Sequence, residues 1–335
     1  MKRRDFFKLS AGLGSAALTT GLTHPSPASA QTKAVFKASD VQPPGYPTVA
    51  ATESFGKKLE AATNGRLSVR MYPSMQLGGE KETIEQTQIG AIQLLRVSAG
   101  ALGPIVDEIN VVNMPFLFRD TAHAEKMMDG PLGQELLDRI TANANAGLVG
   151  LCWMDSGARS LYNTKRPIKS IEDVKGLKFR VIGNPIFIDM MNALGGNGVA
   201  MGYDQVFSAL QTGVIDGAEN NPPSYVFSNH YTAARYFSLT EHLIIPEVLV
   251  FSKKNWASLS ADDQALIRKL ARESQLEERD LWNKYEKDAM DKALAAGCQI
   301  TEIADKKPFQ NAVKPVWDKY GPKYQDMISR IQAIA

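Results

Sequence analysis

The sequence predicts an α/β protein of two lobes joined by one long helix. Helical and strand-like patterns alternate along the chain with glycine between them, which is the rhythm of an α/β fold. Without its first 30 residues the chain still has 305, enough for two lobes of ordinary size. From Ala261 to Ala296 there are 36 consecutive residues with neither Gly nor Pro.

Pro47 to Thr63 reads as a helix with proline in its first turn, and Asn64-Gly65 ends it. Leu67 to Met71 then alternates as a strand. Glu80 to Ile89 gives a second helix stopped at Gly90, followed by a strand through Ile92, Leu94 and Arg96. The same rhythm returns after Gly147, Gly176 and Gly213. Asn184-Pro185 supplies the cap and first turn of a helix to Leu194, and Tyr203 to Thr212 forms another with Val206 and Leu210 inward. Gly195-Gly196-Asn197-Gly198 follows a helix instead of opening one, so it reads as a C-cap and turn. Ser260 is placed to cap the long run and Gly297 to stop it, and as one helix it would reach roughly 54 Å. The run is apolar at Leu266, Ile267 and Leu270, polar from Glu273 to Asp280, and apolar again at Leu281, Trp282 and Tyr285. That pattern suits a helix bridging two lobes; two shorter helices joined at a kink are the alternative.

At the start of the chain, Lys2, Arg3, Arg4, Asp5, Phe6, Phe7 and Lys8 precede a weakly apolar stretch from Leu9 to Leu22 and then Ala28-Ser29-Ala30. This is the pattern of an export signal over residues 1–30, cleaved after Ala30. The paired arginines followed by Phe-Phe-Lys resemble the twin-arginine type and place the mature protein in the periplasm. The apolar stretch of about 14 residues is short of the roughly 20 that span a bilayer, and no later run approaches that length. Removing the leader takes four of 38 basic residues and one of 36 acidic ones, leaving 34 against 35 and a net charge of −1. The basic balance belongs to the leader, and nothing points to nucleic acid. Cys152 and Cys298 are the two cysteines, open to reading as two buried thiols or as one disulfide.

The densest information lies in Gly176-Leu177-Lys178-Phe179-Arg180-Val181, Tyr203 to Gly213, and Ile215-Asp216-Gly217-Ala218-Glu219-Asn220-Asn221. Further stretches of the same kind are Gln76-Leu77-Gly78-Gly79-Glu80, Met114-Pro115-Phe116-Leu117-Phe118, Ser156-Gly157-Ala158-Arg159-Ser160, and Trp256 with Leu259-Ser260. In this order they resemble the substrate-binding proteins of tripartite ATP-independent periplasmic (TRAP) transporters, over nearly all of the mature chain. The resemblance implies a two-lobed, periplasmic-binding-protein-like clamshell with a long helix spanning both lobes, closing over an organic acid. It places residues 31–156 with 246–285 in one lobe and residues 157–245 with 286–335 in the other. The implied partners are the acid and the membrane subunits of a transporter, with no cofactor, no metal and no catalytic residue.

Arg180 stands in an otherwise apolar strand, where a guanidinium is costly unless its fork meets a carboxylate. That carboxylate could belong to a ligand or to Glu219 or Asp216 of the protein; the resemblance makes Arg180 the main clamp for a ligand carboxylate. Arg159, in the turn-like Ser156-Gly157-Ala158 region, matches a second ligand-contacting arginine, and its alternative is a solvated loop residue. Asn220 sits at a strand end, where open α/β sheets present ligand groups. Tyr203 matches an aromatic that covers the ligand. Glu80 suits sugar hydroxyls, whereas it would repel a simple dicarboxylate. Arg96, Ser98, Gln42 and His242 are further polar candidates; His242 reads equally as a core histidine. Asp40 to Thr48 and Thr240-Glu241-His242 resemble the branch that binds hexuronates such as galacturonate and glucuronate, although that branch more often has His where Gln42 stands.

Other acids, namely C4-dicarboxylates, keto acids and aldonates, are the alternatives within this class. A periplasmic sugar-acid enzyme using Glu80 or His242 as a base is a different class. The sequence has four His, no metal-ligand spacing of His and Cys, and no Gly-x-Ser-x-Gly nucleophile elbow. A sensor subunit using the same clamshell is the third.

Overall fold

The structure, a computed structural model, describes residues 33–335, so the export signal expected over residues 1–30 lies outside the described residues. In chain order the elements that matter for the site are β1 (Ala34–Ser39), α1 (Pro47–Ala62), β2 (Leu67–Tyr72), α2 (Glu80–Gln88), β3 (Leu94–Ser98) and β4 (Leu148–Met154). They continue with β5 (Ala158–Asn163), β6 (Lys178–Val181), β7 (Asn197–Ala200), β8 (Gly217–Asn220), β9 (Tyr236–Ile244), β10 (Glu247–Ser252), the long helix Ala261–Ala295, and β11 (Gln299–Glu302).

The strands form two sheets. The first has the order β2-β1-β3-β10-β4, with β1 parallel to β2 and β3, and β10 antiparallel to β3 and β4. The second has the order β11-β9-β5-β8-β6-β7, with β6 parallel to β7 and β8, and β5 antiparallel to β8 and β9. Every residue of β3, β4 and β10 is buried, the mark of strands covered on both faces. The chain passes from the first sheet to the second through Asp155-Ser156-Gly157 and returns through Ile245-Pro246.

The long run is a single helix with no break. Ser260 Oγ accepts the Asp263 N–H at its start, and Gly297 just beyond its end takes φ +81°. It packs on α1 and β4, which belong with the first sheet, and on the helix Pro222–Phe227, which follows β8 of the second. Trp282 makes the join, meeting Tyr46 edge-on at 6.0 Å between ring centres, while Tyr46 meets Phe227 at 5.5 Å. The polar middle of the helix is not all solvent-facing, because Ser274, Gln275 and Glu278 are buried.

Two local expectations are corrected. Asn197 and Gly198 belong to β7 and not to a turn; the turn covers Leu194 and Gly195, the latter at φ +93°, with a bend at Gly196. A side chain at 198 would come within 3.0 Å of the Ile188 carbonyl, so glycine there lets the strand lie against the preceding helix. The helix expected from Tyr203 begins as a 3-10 turn over Tyr203–Gln205 and becomes α-helical at Val206. Cys152 and Cys298 are both free and buried in different apolar clusters.

Candidate functional site

The C-terminal ends of β1 and β3 in one sheet and of β6 and β8 in the other converge on a narrow cavity. This is where open α/β sheets hold ligands. The first sheet contributes Val41, Gln42, Glu80, Arg96, Ser98 and Glu247; the second side contributes Arg159, Arg180, Ile182, Tyr203, Asn220 and Ser224.

Arg180 is buried, with 3 % of its surface exposed. Its Nε donates to the Met201 carbonyl at 2.9 Å, its guanidinium carbon lies 5.6 Å from the centre of the Tyr203 ring, and no carboxylate of the described residues pairs with it. Four of its five N–H groups therefore lack an acceptor among the described residues. Burial and the nearby Arg159 pull its pKa down, against the opposing pull of Glu219. A desolvated cation with unused donors is unfavourable unless an anion completes it.

Arg159 is the reverse case, and here the expectation of a turn-like position is corrected. It lies in β5 and is buried. Nε and Nη2 hold both carboxylate oxygens of Glu219 at 2.6 and 2.9 Å, Nη2 also meets the Glu219 carbonyl at 2.8 Å, and Nη1 meets Asn220 Oδ1 at 2.7 Å. Glu219 thus belongs to Arg159 and not to Arg180, while Asp216 holds the Lys178 N–H and faces Lys165. Because Asn220 Oδ1 is occupied by Arg159 and by the Asn221 N–H at 2.9 Å, the amide NH2 of Asn220 is the part left for the cavity.

On the other wall Arg96 is surrounded by carboxylates. It pairs with Asp40, reaches Glu247 at 2.8 Å and lies 3.6 Å from Glu80. Glu80 opens α2 and accepts the Ser98 N–H at 2.9 Å, while the Ser98 hydroxyl caps the short helix after β3 by accepting the Gly100 N–H. Burial, only partly offset by Arg96 and reinforced by Glu80 and Asp40, lifts the Glu247 carboxyl to about 7. Asp40 also receives the Thr48 hydroxyl at 2.6 Å and the Gln42 N–H at 2.8 Å, so it holds two cavity residues, Arg96 and Gln42, at once.

The two walls touch. Gln42 Nε2 donates to Ser224 Oγ at 3.2 Å, the Tyr46 hydroxyl lies 2.9 Å from the same oxygen, and Gln42 Oε1 is buried with no partner among the described residues. Tyr203 shares its hydroxyl with Ser228 at 2.7 Å and presents its ring to Arg180.

Eight of the nine residues singled out in the sequence line this cavity: Arg180, Arg159, Asn220, Glu80, Tyr203, Arg96, Ser98 and Gln42. His242 does not, which corrects its place among them. It is fully buried behind Glu219, with Nδ1 on the Thr240 hydroxyl at 2.8 Å and Nε2 at 3.8 Å from Glu219, and burial pulls its pKa down to about 4. Val41, Ile182, Ser224 and Glu247 were not anticipated. Glu247 carried a signal, a carboxylate after Pro246 opening the apolar run Val248 to Phe251; Ser224 carried none.

The sequence profile of the bacterial extracellular solute-binding proteins, family 7, matches residues 38–323. A TRAP periplasmic solute-binding protein of Pseudomonas putida F1, crystallised with bound D-glucuronate, superposes with a TM-score of 0.88 at 52% identity, covering 90% of this chain and 97% of that one. One from a Bradyrhizobium species, in complex with α/β-D-galacturonate, gives 0.87 at 45%, covering 89% and 99%. The Citrobacter koseri protein gives 0.88 at 45% with bound D-glucuronate (90% and 100% covered) and 0.79 at 43% in its apo, open structure (89% and 98%). The chain as a whole superposes more closely on the ligand-bound structure of that relative than on its open one.

Proposed function

Since this chain belongs to the bacterial extracellular solute-binding proteins of family 7, we propose that it captures a hexuronate, D-galacturonate or D-glucuronate, in the periplasm and delivers it to the membrane subunits of a TRAP transporter. The observation that carries this reading is Arg180, a buried guanidinium with four unused donors and no carboxylate partner among the described residues. A ligand carboxylate completes it through two parallel hydrogen bonds. Arg159, already neutralised by Glu219, offers one remaining N–H and positions the Asn220 amide beside the same carboxylate. Acceptors for sugar hydroxyls come from the facing wall, where Glu80, Glu247 and Gln42 Oε1 stand. The bound uronates of the Pseudomonas and Bradyrhizobium relatives support the same choice.

The mechanism is closure. We place residues 31–156 with 246–285 in one lobe and residues 157–245 with 286–335 in the other. Ligand held between the arginine wall and the carboxylate wall stabilises the closed state in proportion to its differential affinity for it. The Gln42–Ser224 and Tyr46–Ser224 contacts add protein links across the same gap. The protein binds and releases without chemical turnover.

A thermal-shift screen of residues 31–335 tests this, with uronates, aldonates, C4-dicarboxylates, keto acids and neutral sugars at equal concentration. A ligand that binds the folded state raises the melting temperature by mass action. A rise with galacturonate or glucuronate and none with galactose or succinate is expected. A rise with succinate-like or keto acids alone would overturn the sugar acid and keep solute binding.

A further inference from the structure

We propose that Glu247, together with Glu80, makes the cavity reject a second carboxylate on its ligand, so that it takes a hexuronate and excludes the hexarate with the same hydroxyl pattern. The inference rests on the sugar-acid reading above and assigns specificity within it to two residues of one wall.

The charges facing the cavity decide the matter. Arg96 is the cation of the first-sheet wall, and it is shared by Asp40, Glu247 and Glu80. On the facing wall Arg159 is neutralised by Glu219, which leaves Arg180 as the cation without a counter-charge. One ligand carboxylate therefore completes the site. A second one would meet three carboxylates around a single guanidinium that is already committed to them, in a place where burial keeps water from screening the repulsion.

The free oxygens agree with this. Glu80 uses Oε1 on the Ser98 N–H, and Glu247 uses Oε2 on Arg96. Their other oxygens, Glu80 Oε2 and Glu247 Oε1, accept no hydrogen bond from the described residues. They are acceptors for donors brought by the ligand. The C1 hydroxyl of a hexuronate is such a donor. Oxidation of C1 to a carboxylate, which converts a hexuronate to a hexarate, opens the sugar ring and replaces that donor with an anion; Glu247→Gln and Glu80→Gln variants separate the charge from the change of shape. Discrimination then comes from a repulsive element built against the wrong ligand as well as from contacts to the right one.

The test is calorimetric titration of the parent, Glu247→Gln and Glu80→Gln with D-galacturonate and D-galactarate at pH 8, above the value of about 7 to which burial lifts Glu247. The parent is expected to prefer galacturonate by about 100-fold or more, the scale of one buried like-charge contact. Each variant, shown to be folded by its melting curve, should narrow that preference by about tenfold, chiefly by gaining galactarate affinity. Parent binding of both acids within about threefold, or folded variants that keep the parent's preference, would overturn the proposal. A parent that binds neither acid but does bind succinate or a keto acid overturns the sugar-acid reading itself, a distinguishable result.

Discussion

Arg180 and Tyr203 stand face to face, the guanidinium carbon 5.6 Å from the ring centre, and Arg180 donates one hydrogen bond, to the Met201 carbonyl. The ring covers the cation without neutralising it. Arg180→Ala should therefore weaken uronate binding by roughly 2 to 5 kcal/mol, about 30-fold to several thousand-fold in Kd. Arg180→Lys keeps the charge and loses the planar fork, so it should fall between the two. Titration calorimetry measures both; a folded Arg180→Ala protein that binds like the parent would remove Arg180 from the clamp.

Arg159 and Glu219 lead to a different expectation, because their pairing is internal and almost fully buried. Glu219→Gln leaves the Arg159 charge without its counter-ion and should cost roughly 3 to 5 kcal/mol of folding stability, read by urea denaturation. An equally stable Glu219→Gln protein would mean that Arg159 is neutralised by another group.

Gly157, in the first crossing between sheets, has φ +56°, and a side chain there would meet Glu286 Oε1 at 2.6 Å and the Trp282 ring at 3.1 Å. Glu286 can swing away, but Trp282 is held between helix and crossing. Gly157→Ala should lower stability by about 1 to 2 kcal/mol from the left-handed backbone alone, with the ring contact adding to it. Urea denaturation of the variant checks this, and a loss smaller than a few tenths would show that the crossing relaxes freely.

Much of this architecture was legible in the sequence because its signals were local. Ser260, Gly297 and the Gly- and Pro-free run between them defined the long helix, and Asn184-Pro185 defined another start. Arg180 stood out because a charge in an apolar strand needs a partner. What escaped was set by distant geometry. Glu219 could have paired with either arginine, and only the β5–β8 register, with Leu161 opposite Glu219, brings it to Arg159. Ser224 and Glu247 enter the cavity from segments far from the others in sequence, and His242 alternates to the inner face of β9, behind Glu219 instead of beside the cavity. Asn197 and Gly198 looked like the end of a turn because glycine signals both a turn and a close approach, and at Gly198 the close approach decided.

The bridging helix carries one more consequence. Glu278 is fully buried in its middle; one carboxyl oxygen accepts the Asp155 N–H at 2.7 Å and the other has no partner among the described residues. Burial, helped by the nearby Asp155 charge, raises its pKa well above the ordinary carboxylate range, and Arg279 is too occupied with Asp155 and Asp129 to reverse this. A carboxyl whose pKa is higher folded than unfolded binds more protons in the folded state. Its favourable contribution is complete below the unfolded value of about 4.3 and is lost as pH rises toward the folded one. Glu278→Gln keeps an oxygen for the Asp155 N–H and can never ionise. It should match the parent's melting temperature near pH 4 and exceed it at pH 8, where the parent pays for an ionised or newly protonated buried acid. Melting curves at the two pH values decide this: an offset between parent and variant that is the same at both would show that Glu278 does not titrate differently on folding.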